Sequence, residues 1–437
     1  MMENVEKEIS AVKKTDKLYQ QYIDILREEL RPAMGCTEPI ALALVGAKAR
    51  QLLGELPDRV EVFVSGNIIK NVKSVIVPNT GGLHGIGPAV CTGIVAGVPE
   101  KELQVISQVT DAQRQELHAF LEQVKPQIHP SESTLIFDID VRLYRDGHWV
   151  RLRVVNHHTN LVYMEKDGEV LLELPVEESS EDRLTDKSCL SIEKIVEFTQ
   201  DLDPEDVREL VGRQISCNMA IAEEGLSGNW GANIGTVLQR RQGELLSKQA
   251  AAYAAAGSDA RMSGCEMPVI IISGSGNQGI TASVPVVVYG RAMGASEDEI
   301  LRAVTLSDLV TIHQKTGIGR LSAYCGAISA GCGAGAGIAW LQGGRLDAVA
   351  HTVVNAIAIL SGTICDGAKP SCAAKIAAAV DAGILGCDMY MEHQQFYGGD
   401  GIVTKGVDNT VSNVGRLARE GMRETDRTIL KIMMDEE

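Results

Sequence analysis

The segment LSAYCGAISAGCGAGAGIAWL, residues 321–341, decides what the second half of this chain folds into. Its apolar residues recur at helical spacing, and most of its positions hold Ala, Gly, Ser or Cys. Helices lined with such small side chains can pack with their backbones close together. Helical spacing returns over residues 349–360 and over 296–310, where Ser296 and Glu299 have capping-box spacing. From about residue 190 the sequence therefore predicts a mostly helical, Ala- and Gly-rich lobe.

The first half of the chain mixes helix and strand patterns. Apolar side chains recur at helical spacing over residues 13–30, and Pro39 falls early in a second, small-residue helix. Strand patterns occupy residues 59–65, 72–77, 133–143, 148–155 and 169–174. We therefore predict an α+β fold, with a mixed α/β lobe over residues 1–185 and the helical lobe over 186–437. The boundary falls in the charged stretch EESSEDRLTDK.

Charge and hydropathy exclude several classes of protein. The chain of 437 residues has 41 Lys and Arg against 58 Asp and Glu, a net charge of −17, and it shows no basic stripe that would bind nucleic acid. No apolar run approaches the length of a membrane span, and the N-terminus has no signal-peptide pattern. We expect a cytoplasmic protein whose ten cysteines serve burial, catalysis or metal binding rather than disulfides.

A glycine-rich turn, SGSGNQG at residues 273–279, follows the apolar run PVIII. Its glycines match the G-x-G-x-x-G pattern of dinucleotide-binding turns. The residues that follow, ITASVPVVVY, are largely β-branched and include Pro285, so we do not expect the helix that such a site requires. We favour a nest of backbone N–H groups, with Ser275 and Asn277, that holds a small carboxylate. A tight turn between packed segments is the structural alternative.

Cys36 lies in the motif GCTEP. Thr37 can cap a helix and Pro39 suits its first turn, so we expect Cys36 at the positive end of the helix dipole. A lowered thiol pKa would follow there, and the thiolate could act as a base, a nucleophile or a metal ligand. A buried structural cysteine is the alternative.

Three further cysteines could converge in the helical lobe. Cys325, Cys365 and Cys372 are separated by 40 and 7 residues, without the close pairs that are typical of zinc sites. Thiolates that come from separate helices and loops suit an iron–sulfur cluster better, and burial is the alternative. We expect Cys332, in the run GCGAGAG, to pack two helices together.

In combination these motifs resemble the L-cysteine desulfidase family, which is related to the α chain of the iron–sulfur L-serine dehydratases. The similarity extends from RPAMGCTEPIALAL to the TDR near the C-terminus, and includes VSGNIIKNVKSVIVPNTG, EEGLSGNWG, SDARMSG, SGSGNQGITASVPVVV, RLSAYCG and ICDGAKPSCAAK. The resemblance implies a 4Fe-4S cluster held by Cys325, Cys365 and Cys372, with Cys36 as the proton acceptor. It also implies a lyase that splits L-cysteine into sulfide, ammonia and pyruvate without pyridoxal phosphate.

Physical chemistry supports these roles. Three protein thiolates leave one iron with an open position for a soft leaving group, and Cys36 could remove the Cα proton. The residues expected to bind substrate are Ser275, Gly276, Asn277, Gln278 and Gly279, with Asn67 and Lys70 nearby. Asn71, His157 and His158 are further polar groups that we expect near the pocket or at a strand end. Arg261 could pair with the substrate carboxylate or with Asp259.

Several functions stay open from the sequence. The same machinery could act on L-serine, because elimination of a hydroxyl uses the same groups. A non-catalytic iron–sulfur sensor and a pyridoxal-phosphate enzyme are alternatives from other classes. We expect a free amino acid as the partner, no nucleic acid or membrane, and a homo-oligomer.

Overall fold

The computed structural model describes residues 14–176, 185–319 and 322–435. It confirms the α+β fold, because the larger sheet is formed by the first half of the chain and helices dominate the second half. The expected lobe boundary falls in residues 177–187, of which 177–184 lie outside the described residues, so the division at residue 185 stays a prediction. Within the described part of the chain no helix is long and apolar enough to cross a membrane.

The elements of the first half are α1 (Lys17–Glu29), β1 (Arg31–Met34), α2 (Thr37–Leu53), β2 (Arg59–Val64), α3 (Gly66–Val72), α4 (Ile86–Ala96), α5 (Asp111–Val124), β3 (Gln127–Pro130), β4 (Asp138–Arg145), β5 (His148–Val155), β6 (Leu161–Lys166) and β7 (Glu169–Glu173). Those of the second half are α6 (Ile192–Asp201), α7 (Arg208–Ser227), α8 (Ile234–Gln242), α9 (Leu246–Met262), β8 (Pro268–Ile271), α10 (Gly276–Met293), α11 (Glu297–Ile318), α12 (Gly326–Leu341), α13 (Leu346–Leu360), α14 (Cys372–Met391), α15 (Val407–Arg416) and α16 (Arg423–Asp435).

A six-stranded sheet of order β3-β2-β4-β5-β6-β7 supports the first half. Only the pair β2–β3 is parallel. Alternate residues of the central strands, among them Val62, Val141 and Leu152, are fully buried, and α2 packs on β4 and β5. One face of the sheet is thus covered by helices, which is the common arrangement in antiparallel sheets. The sheet holds α2, and with it Cys36 at the start of that helix.

Helix α12 lies at the centre of the helical lobe and packs against α10, α11, α13 and α14. Glycine permits this packing: a Cβ on Gly335 would lie 2.4 Å from the Gly383 carbonyl oxygen of α14. Cys332 is 1% exposed within α12, as expected for a residue between packed helices. Close backbone contact therefore fixes α12 and α14 relative to one another, and both helices begin at candidate cluster cysteines.

A short two-stranded sheet connects the two halves. Strand β1 pairs antiparallel with β8, and Arg31 lies opposite Ile271. Cys36 lies five positions after Arg31, and Gly276 five positions after Ile271. Because the pairing is antiparallel, β1 and β8 lead into α2 and α10 in opposite directions. The hydrogen bond from Thr37 Oγ1 to the Gly274 carbonyl, 2.8 Å long, joins the start of α2 to the turn before α10.

Several sequence predictions are confirmed in outline. The amphipathic helix and the strand at residue 59 exist as α1 and β2. The capping box at Ser296 and Glu299 is formed, with reciprocal hydrogen bonds between side chain and backbone. Strands β4, β5 and β7 also lie where the sequence predicts strands.

Two secondary-structure predictions are wrong, and a third is confirmed only in part. Of residues 72–77, Val72 ends α3 and the remainder form a turn and not a strand, with an isolated bridge between Ile76 and His84. The helix predicted over residues 321–341 is confirmed from Gly326 to Leu341; residues 322–325 are not helical, and residue 321 lies outside the described residues. The segment around Pro285 is helical as part of α10, because burial among α7, α9, α11 and α12 outweighs its poor helix propensity.

Candidate functional site

The structure brings Cys325 and Cys365 together through backbone hydrogen bonds. Tyr324 and Ile364 form an isolated antiparallel bridge. The Cys325 N–H donates to the Thr363 carbonyl at 3.0 Å, and the Cys365 N–H donates to the Ala323 carbonyl at 2.6 Å. Cys325 is the N-cap residue of α12, and its side chain makes no capping bond. Its thiol is therefore available for another partner.

Cys372 completes this group of thiols from the start of α14. The loop between Cys365 and Cys372 is held by Asp366, which accepts hydrogen bonds from Lys375 and forms an ion pair with Lys369. The loop also packs against α3: Gly367 has φ +96°, and a Cβ there would lie 2.2 Å from the Lys70 carbonyl oxygen. Only glycine suits this position, on both conformational and steric grounds.

The electrostatics show that the three thiols share one environment. Burial, together with the neighbouring Cys365 and Cys372, raises the pKa of Cys325 to about 12, although Lys375 acts in the opposite direction. Burial likewise raises the pKa of Cys372, with an added contribution from Cys365. Thiols of this kind stay protonated until a metal replaces the protons.

The donor set fits an iron–sulfur cluster better than a single ion. Within residues 14–176, 185–319 and 322–435 no three His, Cys, Asp or Glu side chains are arranged to hold one metal ion. In a cluster each thiolate binds a different iron, so the sulfurs need not converge on one point. The starts of α12 and α14 and the Lys375 ammonium supply positive charge beside the thiols, which suits an anionic thiolate cluster.

Cys36 occupies the N-cap position of α2 and is buried, 3% exposed. Its Sγ donates to the Glu38 carboxylate at 3.2 Å. Glu38 also accepts hydrogen bonds from Thr37 Oγ1 at 3.0 Å and from Asn71 Nδ2 at 3.1 Å. Glu38 belongs to the motif GCTEP, and no role was predicted for it; a carboxylate two residues after a candidate base was the signal in the sequence.

The expectation of a lowered Cys36 pKa is wrong. Burial raises the pKa of this thiol well above its ordinary value, and the Glu38 carboxylate raises it further; the Arg261 guanidinium acts in the opposite direction. Desolvation of the charged form outweighs the field of the helix N-terminus at a fully buried thiol. Thr37 does not cap α2 either, since its hydroxyl donates to Glu38 and to the Gly274 carbonyl.

Cys36 lies beside the cysteine group of the helical lobe. Cys36, Val75 and Met262 form a small buried cluster, and Ala368 and Cys372 pack against it. The candidate base and one candidate cluster ligand, 336 residues apart in sequence, therefore border the same buried space.

The turn at residues 273–279 does open a helix, the 18-residue α10, with Ser275 as N-cap. Gly276, Asn277 and Gln278 occupy the first turn, where backbone N–H groups have no intrahelical acceptor. The dinucleotide alternative is still not favoured, because β8 pairs antiparallel with β1 and not within a parallel sheet. Thr37 Oγ1 donates to the Gly274 carbonyl at 2.8 Å and joins this turn to GCTEP.

Two predicted substrate-binding residues have a protein partner. Lys70 forms a buried ion pair with Asp426 of α16, and Asn67 Nδ2 donates to the same carboxylate at 3.1 Å. Asn71 reaches Glu38 instead. Asn71 therefore contacts Glu38, the hydrogen-bond partner of Cys36. Asn67 and Lys70 instead connect α3 with α16.

His157 and His158 line a cavity of about 380 Å³ between the sheet and β1. Gly274 and Ile271 also line this cavity, so it borders the turn before α10. The His158 ring contacts Phe137 edge to face. These histidines follow the end of β5 and share a cavity with Gly274, so a place near the pocket and a place at a strand end are both compatible with the structure, and their role stays a prediction.

Asp259 and Arg261 of the motif SDARMSG have separate partners. Asp259 Oδ2 accepts the backbone N–H of Gly235 at 3.0 Å, at the start of α8. Burial raises the pKa of Asp259 to about 6, although hydrogen bonds from the α8 backbone lower it. Arg261 instead donates to Asn277 Oδ1 at 3.1 Å.

Comparison with known proteins gives a consistent picture. The sequence model of the family described as serine dehydratase alpha chain matches residues 100–431, which include the three cysteines and the turn before α10 but not Cys36. A UPF0597 protein of Desulfitobacterium hafniense is 53% identical over 425 residues, covering 97% of this chain and 99% of that protein. UPF0597 proteins of Lachnoclostridium phytofermentans (46% identical, 96% of this chain and 100% of that protein) and Treponema denticola (41%, 95% and 98%) are also similar. Those names describe no activity.

Proposed function

This chain belongs to the serine dehydratase alpha chain family, and from that premise we propose that it catalyses the β-elimination of L-cysteine to hydrogen sulfide, ammonia and pyruvate. Membership indicates a lyase of the dehydratase type. The observation that carries the finer proposal is the shared buried cluster of Cys36 and Cys372, because it puts a thiol suited to proton transfer beside a thiol suited to metal binding. We extend the proposal to a cytoplasmic homo-oligomer.

Cys325, Cys365 and Cys372 would hold the 4Fe-4S cluster. When bound, the cluster supplies an open Lewis-acid position for a soft leaving group. The protein contributes the burial of Cys325 and the partial burial of Cys365 and Cys372, the positive charge of Lys375, and the close packing of α12 against α14.

The remaining steps belong to residues of the chain. The backbone N–H groups of Gly276 to Gln278 orient the substrate carboxylate. The Glu38 carboxylate, which accepts the hydrogen bond of Cys36 Sγ, takes the thiol proton, and the resulting Cys36 thiolate removes the Cα proton. The electron pair of the Cα–H bond forms the Cα–Cβ double bond as the Cβ–S bond breaks. The sulfur leaves as HS⁻ and takes up the proton of Glu38 as hydrogen sulfide, which restores the carboxylate and the Cys36 thiol. The 2-aminoacrylate that is released tautomerises and hydrolyses to pyruvate and ammonia.

L-serine dehydratase activity is the second candidate. The description of the matching family favours it, and elimination of water needs the same base and the same carboxylate site. A soft thiolate leaving group suits an iron site better than a hydroxyl does, which is why we place L-cysteine first.

The test is anaerobic reconstitution of the full chain with iron and sulfide, followed by parallel sulfide and pyruvate assays with each amino acid. We expect equal amounts of sulfide and pyruvate from L-cysteine and little pyruvate from L-serine. Pyruvate from L-serine alone would contradict L-cysteine elimination and indicate an L-serine dehydratase. Product from neither, in a protein with a full cluster, would contradict catalysis and leave an iron–sulfur sensor.

A further inference from the structure

Arg261 is a buried cation that has no carboxylate partner in the part of the chain that the structure describes. The residue ends α9 and is 2% exposed. Within the described residues it forms no ion pair; its single hydrogen bond runs from Nη1 to Asn277 Oδ1, and its buried Nε has no acceptor. A buried guanidinium in this state is costly unless a counter-ion from outside the chain completes it.

The nearby acid of the same motif is not that counter-ion. Asp259 accepts the Gly235 N–H and so stabilises the N-terminus of α8. A Cβ on Gly231 would lie 3.5 Å from Asp259 Oδ1, so the same loop covers its second oxygen. Asp259 therefore binds the backbone at the start of α8 and not the Arg261 guanidinium.

The guanidinium lies against the first turn of α10. A Cβ on Gly276 would come within 2.3 Å of Arg261 Nε, so only glycine leaves room for it. The first turn presents backbone N–H groups without intrahelical acceptors. A cation and a helix N-terminus that share one location form a site for an anion.

Two further contacts put this site between the candidate base and the cysteine group. Asn277, which accepts the Arg261 hydrogen bond, donates to Met262 Sδ at 3.7 Å. Met262 belongs to the small buried cluster that contains Cys36. Gln278, the third residue of α10, contacts the position next to Cys325: a Cβ on Gly326 would lie 2.7 Å from Gln278 Nε2. Gln278 Oε1 is buried and unpaired, and it can accept from an ammonium group.

We infer that Arg261 binds the α-carboxylate of a free amino acid against the N-terminus of α10, while Gln278 Oε1 accepts from its α-ammonium group. The identity of this ligand as the substrate rests on the proposed function. Arg261 is then a substrate-binding residue that selects free α-amino acids and rejects amines or amino acids with a blocked carboxylate. A guanidinium suits this role because its planar donors can form two parallel bonds with a carboxylate.

The test uses L-alanine, which has both groups but no leaving group, and L-alaninamide, which lacks the carboxylate. Binding to the anaerobic reconstituted full chain is measured by calorimetry for wild type, Arg261→Gln, Arg261→Lys and the control Arg302→Gln. Arg302 is a matched control because its guanidinium bonds a backbone carbonyl of the same lobe, at Leu202. We expect Arg261→Gln to weaken L-alanine binding about ten- to a hundredfold, Arg261→Lys to weaken it less, and Arg302→Gln to leave it unchanged.

Iron content and thermal unfolding show whether the variants fold. We expect Arg261→Gln to keep its iron and to be at least as stable as wild type without ligand, because it removes an unpaired buried charge. L-alanine should raise the unfolding temperature of wild type and not that of Arg261→Gln. If Arg261→Gln fails to fold, the affinity of Arg261→Lys for L-alanine becomes the test. An affinity equal to that of wild type in Arg261→Lys would then overturn the inference.

Equal affinity of wild type and Arg261→Gln for L-alanine overturns the inference, as does equal affinity of wild type for L-alanine and L-alaninamide. Failure of the proposed function looks different. A wild-type protein that binds L-alanine through Arg261 but eliminates neither amino acid keeps the carboxylate site and loses the activity. A wild-type protein that eliminates L-cysteine, with an unchanged KM in Arg261→Gln, keeps the activity and loses this role of Arg261.

Discussion

Cys36 and Cys325 occupy the same position in two different helices. Each is an N-cap residue with extended backbone angles, at the start of α2 and of α12, and neither side chain makes a capping bond. Each is buried, and burial is the largest cause of a raised pKa in both. By helix position alone the two thiols are equivalent.

Their neighbours distinguish them. Cys36 donates to a carboxylate, Glu38, which gives its proton an acceptor. Cys325 has two other thiols and Lys375 around it, which gives a metal cluster its ligands and a compensating charge. The comparison teaches that a helix N-terminus does not by itself activate a cysteine: desolvation outweighs the dipole, and the adjacent side chains decide the chemistry.

The largest effect should come from removing a ligand. We expect Cys325→Ala to lose the cluster and to reduce elimination to background, because the open iron position requires all three thiolates. Iron content and turnover are measured together after anaerobic reconstitution. Cys332→Ala is the control and should keep both, since burial raises the pKa of that thiol without a contribution from Cys325, Cys365 or Cys372. Full iron content in Cys325→Ala would contradict the ligand assignment.

Replacing the candidate base, Cys36, should show that its role differs from that of Cys325. We expect Cys36→Ser to keep its iron and to lose elimination by about 10²- to 10⁴-fold, the contribution of a positioned general base. The iron content of the same sample is the second readout. Parallel loss of iron would make Cys36 a ligand, and the distinction between the two N-cap cysteines would disappear.

Glu38→Gln should reduce the rate of elimination less than Cys36→Ser does, and the size of the reduction should depend on pH. The thiolate is the active form, so kcat/KM of wild type should rise with pH. The Glu38 carboxylate raises the pKa of Cys36; an amide removes that charge, so the rising limb should move to lower pH. At the wild-type optimum we expect a loss of about ten- to a hundredfold, as for residues that act through a first ligand or base.

The control for Glu38→Gln is Glu61→Gln, because the partners of Glu61 lie in the sheet: it accepts a hydrogen bond from Tyr144 and forms an ion pair with Arg59. Its pH profile should match wild type. If the rising part of the pH profile of kcat/KM is unshifted in Glu38→Gln, the Glu38 carboxylate does not raise the pKa of Cys36.

The smallest effect concerns capping. Ser296 caps α11 through its side chain, in contrast with the two cysteines. We expect Ser296→Ala to lower the free energy of unfolding by about 1 kcal/mol, with unchanged iron content and turnover. Cys325→Ser in the cluster-free protein should not be less stable than wild type, because serine is a better N-cap than cysteine. Urea unfolding of both variants measures this difference, and a stability loss in Cys325→Ser would indicate that the thiol supports α12.

Local patterns in the sequence determined a large part of the fold. The periodicity of α1, the alternating valines of β2 and the capping box at Ser296 are formed by residues close in sequence, so they can be recognised without tertiary information. The motifs around Cys36, Cys325, Cys365 and Cys372 also indicated which residues carry chemistry, although the cluster and the proton transfer stay proposals.

Only the tertiary structure decided the surroundings of those residues. The sequence alone could not show that Pro285 lies in a helix, because burial by four other helices stabilises α10 against its own propensity. Nor could it show that Thr37 bonds Gly274, 237 residues away, or that Arg261 lies beside Gly276 with no carboxylate partner among the described residues. The pKa of Cys36 was mispredicted for the same reason. Desolvation depends on every element packed around a group, whereas sequence position specifies only its own helix.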